Sequence, residues 1–307
     1  MSPDRSQAAY AASAADLALR ALDALRGAGG TAMVADHVEQ ADDPKAALAA
    51  IRVVGADVFA PFLLADAVFH PADAAALAQS FAVFPPPVGT PAPPPAGPAE
   101  PWLAAWRDWG TATLLARFAG TETGGLPAAG TEADGPFAAG TEVDLPYADV
   151  GSAGVPPSTD IGGALAPQPS GAPELAEADG VPAVSHTGHT GAPGPTGTPG
   201  PGTTWQTWSV RMGQLSPLAL PGLDGPVHAV ARAAPRALAR GATRAVLRRD
   251  FPTAARIARW LALLAAEGER LPLDPVPLVR HLGLHGGGPR LALDVAIARR
   301  LLAVEDA

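Results

Sequence analysis

The chain has 307 residues, a formal net charge of −9 and no cysteine. The lack of cysteine excludes disulfides, thiolate nucleophiles and cysteine-ligated zinc or iron–sulfur sites. Hydrophobic residues make up 48% of the chain but aromatic residues only 5%, and because alanine favours helices over sheets, this alanine-heavy composition predicts a mostly α-helical protein.

The N-terminal residues contain no basic segment followed by an apolar run, and the chain has no run of about 18 consecutive apolar residues. We therefore expect neither a secretory signal nor a transmembrane helix, and we predict a cytoplasmic protein without a membrane partner. Lys45 is the single lysine beside twenty arginines. With the abundance of alanine, glycine and proline, this bias is typical of a high-GC genome.

Helical periodicity in residues 1–84 predicts a small helical bundle. Acidic residues before Pro44 and a proline at position 71 are typical of helix starts. The predicted helices occupy residues 4–27, 31–39, 44–61 and 71–84. The apolar segment Val53 to Phe59 is also compatible with a short buried strand, since short apolar runs fit both structures.

Residues 85–99 form a proline-rich linker that we expect to be extended, and residues 100–118 are predicted to form a helix. Trp102, Trp106 and Trp109 lie on one face of this helix. They either pack with the tryptophans that follow residue 204, which would make the middle of the chain an insertion in one helical domain, or form an exposed aromatic surface for a partner.

Residues 119–204 lose helical periodicity and are predicted to form a disordered, acidic, low-complexity linker. Ala-Gly-Thr-Glu occurs at 119–122, 129–132 and 139–142. We interpret it as low complexity, with a docking motif displayed three times as the alternative. Residues 188–202 carry glycine at every third position, but five triplets are short for a collagen helix and are typical of an extended linker.

Residues 205–307 regain periodicity and predict an arginine-rich helical domain. The predicted helices begin near residues 226, 242, 251, 275 and 289. We expect the helical stretch from Pro226 to be kinked at Pro235 and interrupted at Gly241. This region holds 14 arginines and 8 acidic residues, whereas the region before it has a net charge of −15. Such asymmetry predicts an anionic partner or internal neutralisation.

Five arginines recur at four-residue spacing and would form a spiralling stripe on a helix. They are Arg232, Arg236, Arg240, Arg244 and Arg248. The stripe fits a solvated face, an acidic protein or the acidic linker, or a phosphate backbone. The stripe lacks interleaved aromatic residues, and no helix-turn-helix pattern is clear, which weakens the nucleic-acid interpretation.

His281 and His285 are spaced to face one metal ion from a helix. The zinc-protease pattern would need glutamate where Leu282 stands, and Asp274 or Asp294 would have to supply a third ligand. The glycines at 286–288 match neither the Walker nor the Rossmann spacing, and no serine lies in a nucleophile-elbow pattern. We therefore expect no cofactor, and these two histidines are the candidate metal ligands.

The pattern as a whole favours a non-enzymatic interaction or assembly protein, an adaptor or scaffold with a flexible acidic spacer and an unidentified protein partner. The first alternative is an adaptor that binds nucleic acid or an acidic partner through the arginine-rich C-terminal helices. The second alternative is an enzyme with a metal at His281 and His285. The oligomeric state is left open, and the sequence resembles no family that we recognise.

Overall fold

The structure is a computed structural model that describes residues 3–86, 99–120 and 204–304. Of these residues, 76% are helical and none lies in a strand, so the predicted mostly α-helical fold is confirmed. The helices are α1 Pro3–Leu25, α2 Met33–Glu39, α3 Pro44–Val54, α4 Ala60–Leu64, α5 Pro71–Val83, α6 Ala99–Ala119, α7 Trp205–Gln214, α8 Pro226–Ala233, α9 Pro235–Leu247, α10 Phe251–Ala266, α11 Pro275–Gly283 and α12 Gly288–Leu301. Two short 3₁₀ helices, Gly55–Phe59 and Ser216–Leu218, lie between them.

Aspartate followed by proline begins two of these helices, α3 and α11, and the sequence predicts this start for α3. The carboxylate of Asp43 accepts hydrogen bonds from the backbone N–H groups of Lys45 and Ala46, and Asp274 accepts one from Val276. These bonds satisfy N–H groups that have no partner within the helix, and the proline at the first position has no N–H to satisfy.

The segment predicted as one helix over residues 44–61 is divided in three by Gly55. This glycine has φ 67°, a left-handed conformation that residues with a Cβ adopt at a cost. The chain therefore leaves α3 and continues as the 3₁₀ helix Gly55–Phe59 before α4 begins. The strand alternative for Val53 to Phe59 was wrong.

Of the two predicted interruptions, the one at Pro235 is confirmed and the one at Gly241 was wrong. Helix α8 ends at Ala233 and α9 begins at Pro235, because proline cannot continue the backbone hydrogen bonding of the preceding helix. Gly241 lies inside α9, where a Cβ would collide with the side chain of Ser209 on α7. The glycine therefore permits two helices to approach closely and does not interrupt one.

The helices on both sides of the undescribed middle segment share one hydrophobic core. Helix α10 lies at its centre and contacts α7, α9, α11 and α12, while α1 packs against both α3 and α12. Trp106, Trp208 and Trp260 are fully buried in this core. The indole N–H of Trp260 donates to the carbonyl of Met212 at 2.7 Å, which satisfies its polar atom without exposing the ring.

A buried ion cluster joins the N-terminal and C-terminal helices. The guanidinium of Arg259 on α10 is fully buried and donates to both carboxylate oxygens of Asp57, at 2.6 and 2.9 Å, and to Asp294 on α12 at 2.8 Å. Arg290 contacts both carboxylates from the edge of the cluster. Because every charge has an opposite partner, the desolvation cost of the cluster is offset by short hydrogen bonds.

One helical run in the described residues, Pro44–Leu64, is long and apolar enough to cross a membrane, but 67% of its most apolar window is buried inside the protein. Burial by other helices explains its composition, since a core helix needs apolar side chains on most of its surface. The predicted cytoplasmic location stays a prediction.

The predicted acidic linker, its three repeats and its glycine-rich stretch lie outside the described residues, apart from the end of α6 and Thr204. Residues 87–98 of the proline-rich linker also lie outside them. The division of the chain at residues 84, 99, 118 and 204 stays a prediction.

Candidate functional site

Four arginines at four-residue spacing lie along α9 and at its C-terminal end. Arg236, Arg240, Arg244 and Arg248 are all exposed. Within residues 3–86, 99–120 and 204–304, none of the four forms an ion pair with a carboxylate. We call these four residues the arginine face. Its charge is therefore open to an external anion.

Arg232 belongs to the predicted row but not to this face. It lies on α8, before the break at Pro235, and donates two hydrogen bonds to Glu267, at 2.9 and 3.1 Å, and one to Asp224 at 2.8 Å. The bonds to Glu267 and then to Asp224 raise the pKa of Arg232 further above its ordinary value. The two carboxylates neutralise its charge, so Arg232 has an internal partner.

The helix dipole explains why arginines lie at one end of α9 but not at the other. Arg244 and Arg248 lie at the C-terminal end of α9, where the helix dipole favours positive charge. Arg236 lies in the first turn, where the same dipole disfavours it. Helix stability therefore explains the C-terminal members of the face but not Arg236.

One member of the face is held by an aromatic ring. The guanidinium carbon of Arg240 lies 4.1 Å from the ring centre of Trp205 on α7, a distance typical of a cation–π contact. Trp205 is half-buried. The contact orders Arg240 without cancelling its charge, because an aromatic ring carries no net charge.

A large apolar side chain lies beside the arginines. Leu247 is 80% exposed and follows Arg244 by three residues, which places both on one side of the helix. An exposed leucine beside exposed cations offers a partner both apolar contact and charge. Taken alone, a single exposed leucine is common on protein surfaces.

The three tryptophans of α6 lie in the core and at its edge. Trp102 and Trp106 are 4% and 1% exposed, and Trp109 is partly buried with its ring 5.4 Å from that of Trp106. In this conformation the first two rings are not accessible to a partner. They pack in the same core as Trp208.

His281 and His285 meet at the end of α11. Their Nε2 atoms lie 3.3 Å apart, and the ring of His285 stacks on Phe251 with ring centres 3.8 Å apart. Two imidazole nitrogens at this separation can bind one metal ion together. However, the described residues contain no group of three or more histidine, aspartate or glutamate side chains placed to hold a metal, so neither Asp274 nor Asp294 completes the pair.

The sequence did not indicate which residues from elsewhere in the fold contact the arginine row. Trp205 on α7, Asp224 in the loop before α8 and Glu267 at the end of α10 contact it, and these contacts depend on tertiary structure. Two signals were present in the sequence: Pro235 separates Arg232 from the others, and Leu247 is a leucine among charged residues.

Comparison with protein-family models, curated proteins and solved structures finds no match. The side chains described above are therefore the basis on which a function is proposed.

Proposed function

We propose that this chain is an interaction protein that binds an acidic protein partner through the arginine face of α9. The observation that carries the proposal is that Arg236, Arg240, Arg244 and Arg248 are exposed and have no carboxylate partner among the described residues. Exposed guanidinium groups recognise carboxylates with paired hydrogen bonds, so such a face fits an acidic protein surface.

The scaffold supports this role because the face is rigid. Helix α9 packs against both α7 and α10, and its buried side includes Leu238 and Ala242, both 0% exposed. A surface on a packed helix loses little conformational entropy when a partner binds. The same rigidity would let the chain hold a partner in a fixed orientation, as an adaptor or scaffold does.

The first test uses defined probes and a variant matched in charge. Arg236, Arg244 and Arg248 are changed to glutamine together, which leaves the contact between Arg240 and Trp205 in place. The control changes Arg26, Arg270 and Arg280 to glutamine, because these are also exposed arginines and the net charge changes equally. Fluorescence anisotropy then measures binding of a labelled oligoglutamate peptide and of a DNA oligonucleotide to each protein.

We expect the triple variant to bind the acidic peptide about tenfold more weakly, since each surface charge contributes roughly 0.5 kcal/mol. The control should bind like the unchanged protein. Equal weakening in both variants would show a general charge effect and would contradict a site on α9.

Affinity capture from native lysate identifies the partner. The full chain, a chain without residues 119–204, and the two arginine variants are compared with and without nuclease. We expect a nuclease-resistant acidic protein with the full chain, the shortened chain and the control, but not with the triple variant. Nuclease-sensitive capture that follows the arginine face would instead support the nucleic-acid adaptor, and its affinity should fall steeply with salt.

A further inference from the structure

A serine, a histidine and an aspartate meet between α1 and α2. The hydroxyl oxygen of Ser13 lies 3.2 Å from Nε2 of His37, and Nδ1 of His37 lies 2.9 Å from a carboxylate oxygen of Asp16. Ser13 and Asp16 are three residues apart on α1 and so lie on the same side of that helix. The order of atoms is the one that activates a serine nucleophile: hydroxyl, imidazole, carboxylate.

The carboxylate determines which nitrogen of His37 carries the proton. Because an ionised Asp16 can only accept, Nδ1 donates to it and Nε2 is left with the lone pair that faces Ser13. Arg20 also donates to the same oxygen of Asp16 at 2.8 Å. Burial would raise the pKa of Asp16, but hydrogen bonds from Arg20 and His37 outweigh it and the pKa lies below its ordinary value.

His37 is in the state that a general base requires. Its side chain is 3% exposed, and burial lowers its pKa although Asp16 raises it. The imidazole is therefore neutral at pH 7 and can accept a proton at Nε2. The charged groups that act on it are Asp16 and Arg20.

Helix α2, which carries His37 near its C-terminal end, is held in place at its N-terminal end. Asp73 of α5 is buried and accepts hydrogen bonds from the backbone N–H groups of Val34 and Ala35 at 2.8 and 2.9 Å. This carboxylate fixes the first turn of a seven-residue helix that would be unstable alone. The imidazole is thus held against α1 before any ligand arrives, as preorganised sites require.

The three residues line an open pocket of about 390 Å³. Ser13 is half-buried, so its hydroxyl reaches both the imidazole and the pocket. The rest of the lining includes Arg20, Gln40, two further aspartates and several alanines.

We propose that Ser13, His37 and Asp16 form an acyl-transfer site that hydrolyses small esters. The oxygen of Ser13 attacks the ester carbonyl carbon while its proton passes to Nε2 of His37. The carbon–oxygen ester bond then breaks, and His37 returns the proton to the leaving alcohol. Water attacks the acyl-serine in the same way, which releases the acid and restores Ser13.

The lining charges select the class of ester. The pocket contains one arginine and three aspartates, Asp16, Asp42 and Asp43, so its formal charge is negative. An anionic substrate would be repelled, whereas a neutral or cationic ester would not. The alanines leave room for a short acyl group, and no residue of the arginine face takes part, so this site is independent of the proposed binding function.

The experiment is labelling of the full chain with a fluorophosphonate probe, followed by mass spectrometry of the labelled peptide. The variants are Ser13→Ala, His37→Gln and Asp16→Asn, with Ser80→Ala as control because Ser80 is buried and donates to the carbonyl of Leu77. We expect one label, on Ser13, that forms about 100-fold more slowly in His37→Gln. The Asp16→Asn change should slow it about tenfold or more, because the histidine tautomer is no longer fixed.

A second readout is the release of p-nitrophenol from p-nitrophenyl acetate. The unchanged protein and Ser80→Ala should release a burst of one equivalent that Ser13→Ala lacks, and an anionic ester, p-nitrophenyl hemisuccinate, should react more slowly. Asp16 is 50% exposed, so Asp16→Asn should remain folded, which circular dichroism checks. A folded Asp16→Asn or His37→Gln protein that labels Ser13 at the unchanged rate, or no label on Ser13, overturns the proposal.

Discussion

Replacing one carboxylate of the buried ion cluster should unfold the protein more readily than any surface change. In Asp57→Asn the shape of the side chain is kept, but its charge is lost. One oxygen of Asp57 accepts from Arg259, and the other accepts from Arg259 and contacts Arg290. The new amide would point N–H groups at one of these guanidinium groups, so donor would face donor.

The expected loss follows from those contacts. At least one charge-assisted hydrogen bond disappears, and each contributes about 1.5–3 kcal/mol. Arg259, which is 0% exposed, would also keep only Asp294 as a counter-charge. Removing one partner of a buried pair costs about 3–5 kcal/mol, and we expect Asp57→Asn to lower the free energy of unfolding by that amount.

Urea titration followed by tryptophan fluorescence measures this change. The control is Asp224→Asn, because Asp224 pairs with Arg232 at the surface, and it should leave the urea midpoint almost unchanged. A loss below about 1 kcal/mol in Asp57→Asn, the range of exposed ion pairs, would show that the cluster does not stabilise the fold as described. The arginines around Asp57 hold its pKa below the ordinary value despite its burial, so the unchanged protein should lose this stabilisation only in strong acid.

Gly241→Ala should destabilise the fold by about 1–3 kcal/mol because its Cβ would collide with Ser209. Alanine is the better helix former, so a higher free energy of unfolding in urea titration would contradict this packing. Burial lowers the pKa of His228, so the unfolded chain binds more protons and stability should fall as the pH drops below about 6.5. His228→Gln should reduce the slope of the urea midpoint against pH. An unchanged slope would show that protonation of His228 does not cause this pH dependence. Calorimetry should detect weak binding of Zn²⁺ that His281→Ala abolishes. Unchanged Zn²⁺ binding in that variant would show that His281 and His285 do not bind the ion together.

Local signals in the sequence were sufficient for the fold class and for most helix starts. Asp43 and Asp274 act on N–H groups two or three residues away, so their effect is visible in a short stretch of sequence. Gly241 was misread because the residue that explains it, Ser209, lies on another helix. A glycine breaks a helix on average, but here close packing outweighs that tendency.

The sequence contains an indication of the buried ion cluster that the sequence analysis did not interpret. Asp57 stands alone among apolar residues between Val53 and Phe59, and Arg259 stands between Ile257 and Trp260. A charged residue on the apolar side of a helix must be paired inside the core. Which partner it finds could not be predicted, because Asp57 and Arg259 are brought together only by the packing of distant helices.

The distance between these two residues along the chain also affects how the protein is made. Asp57 and Arg259 are separated by 202 residues, and a ribosome adds about 5–20 residues per second. A newly made Asp57 therefore waits about 10–40 s for its partner. During this time the first helices cannot complete their core, so their apolar faces are open to chaperones or to premature association.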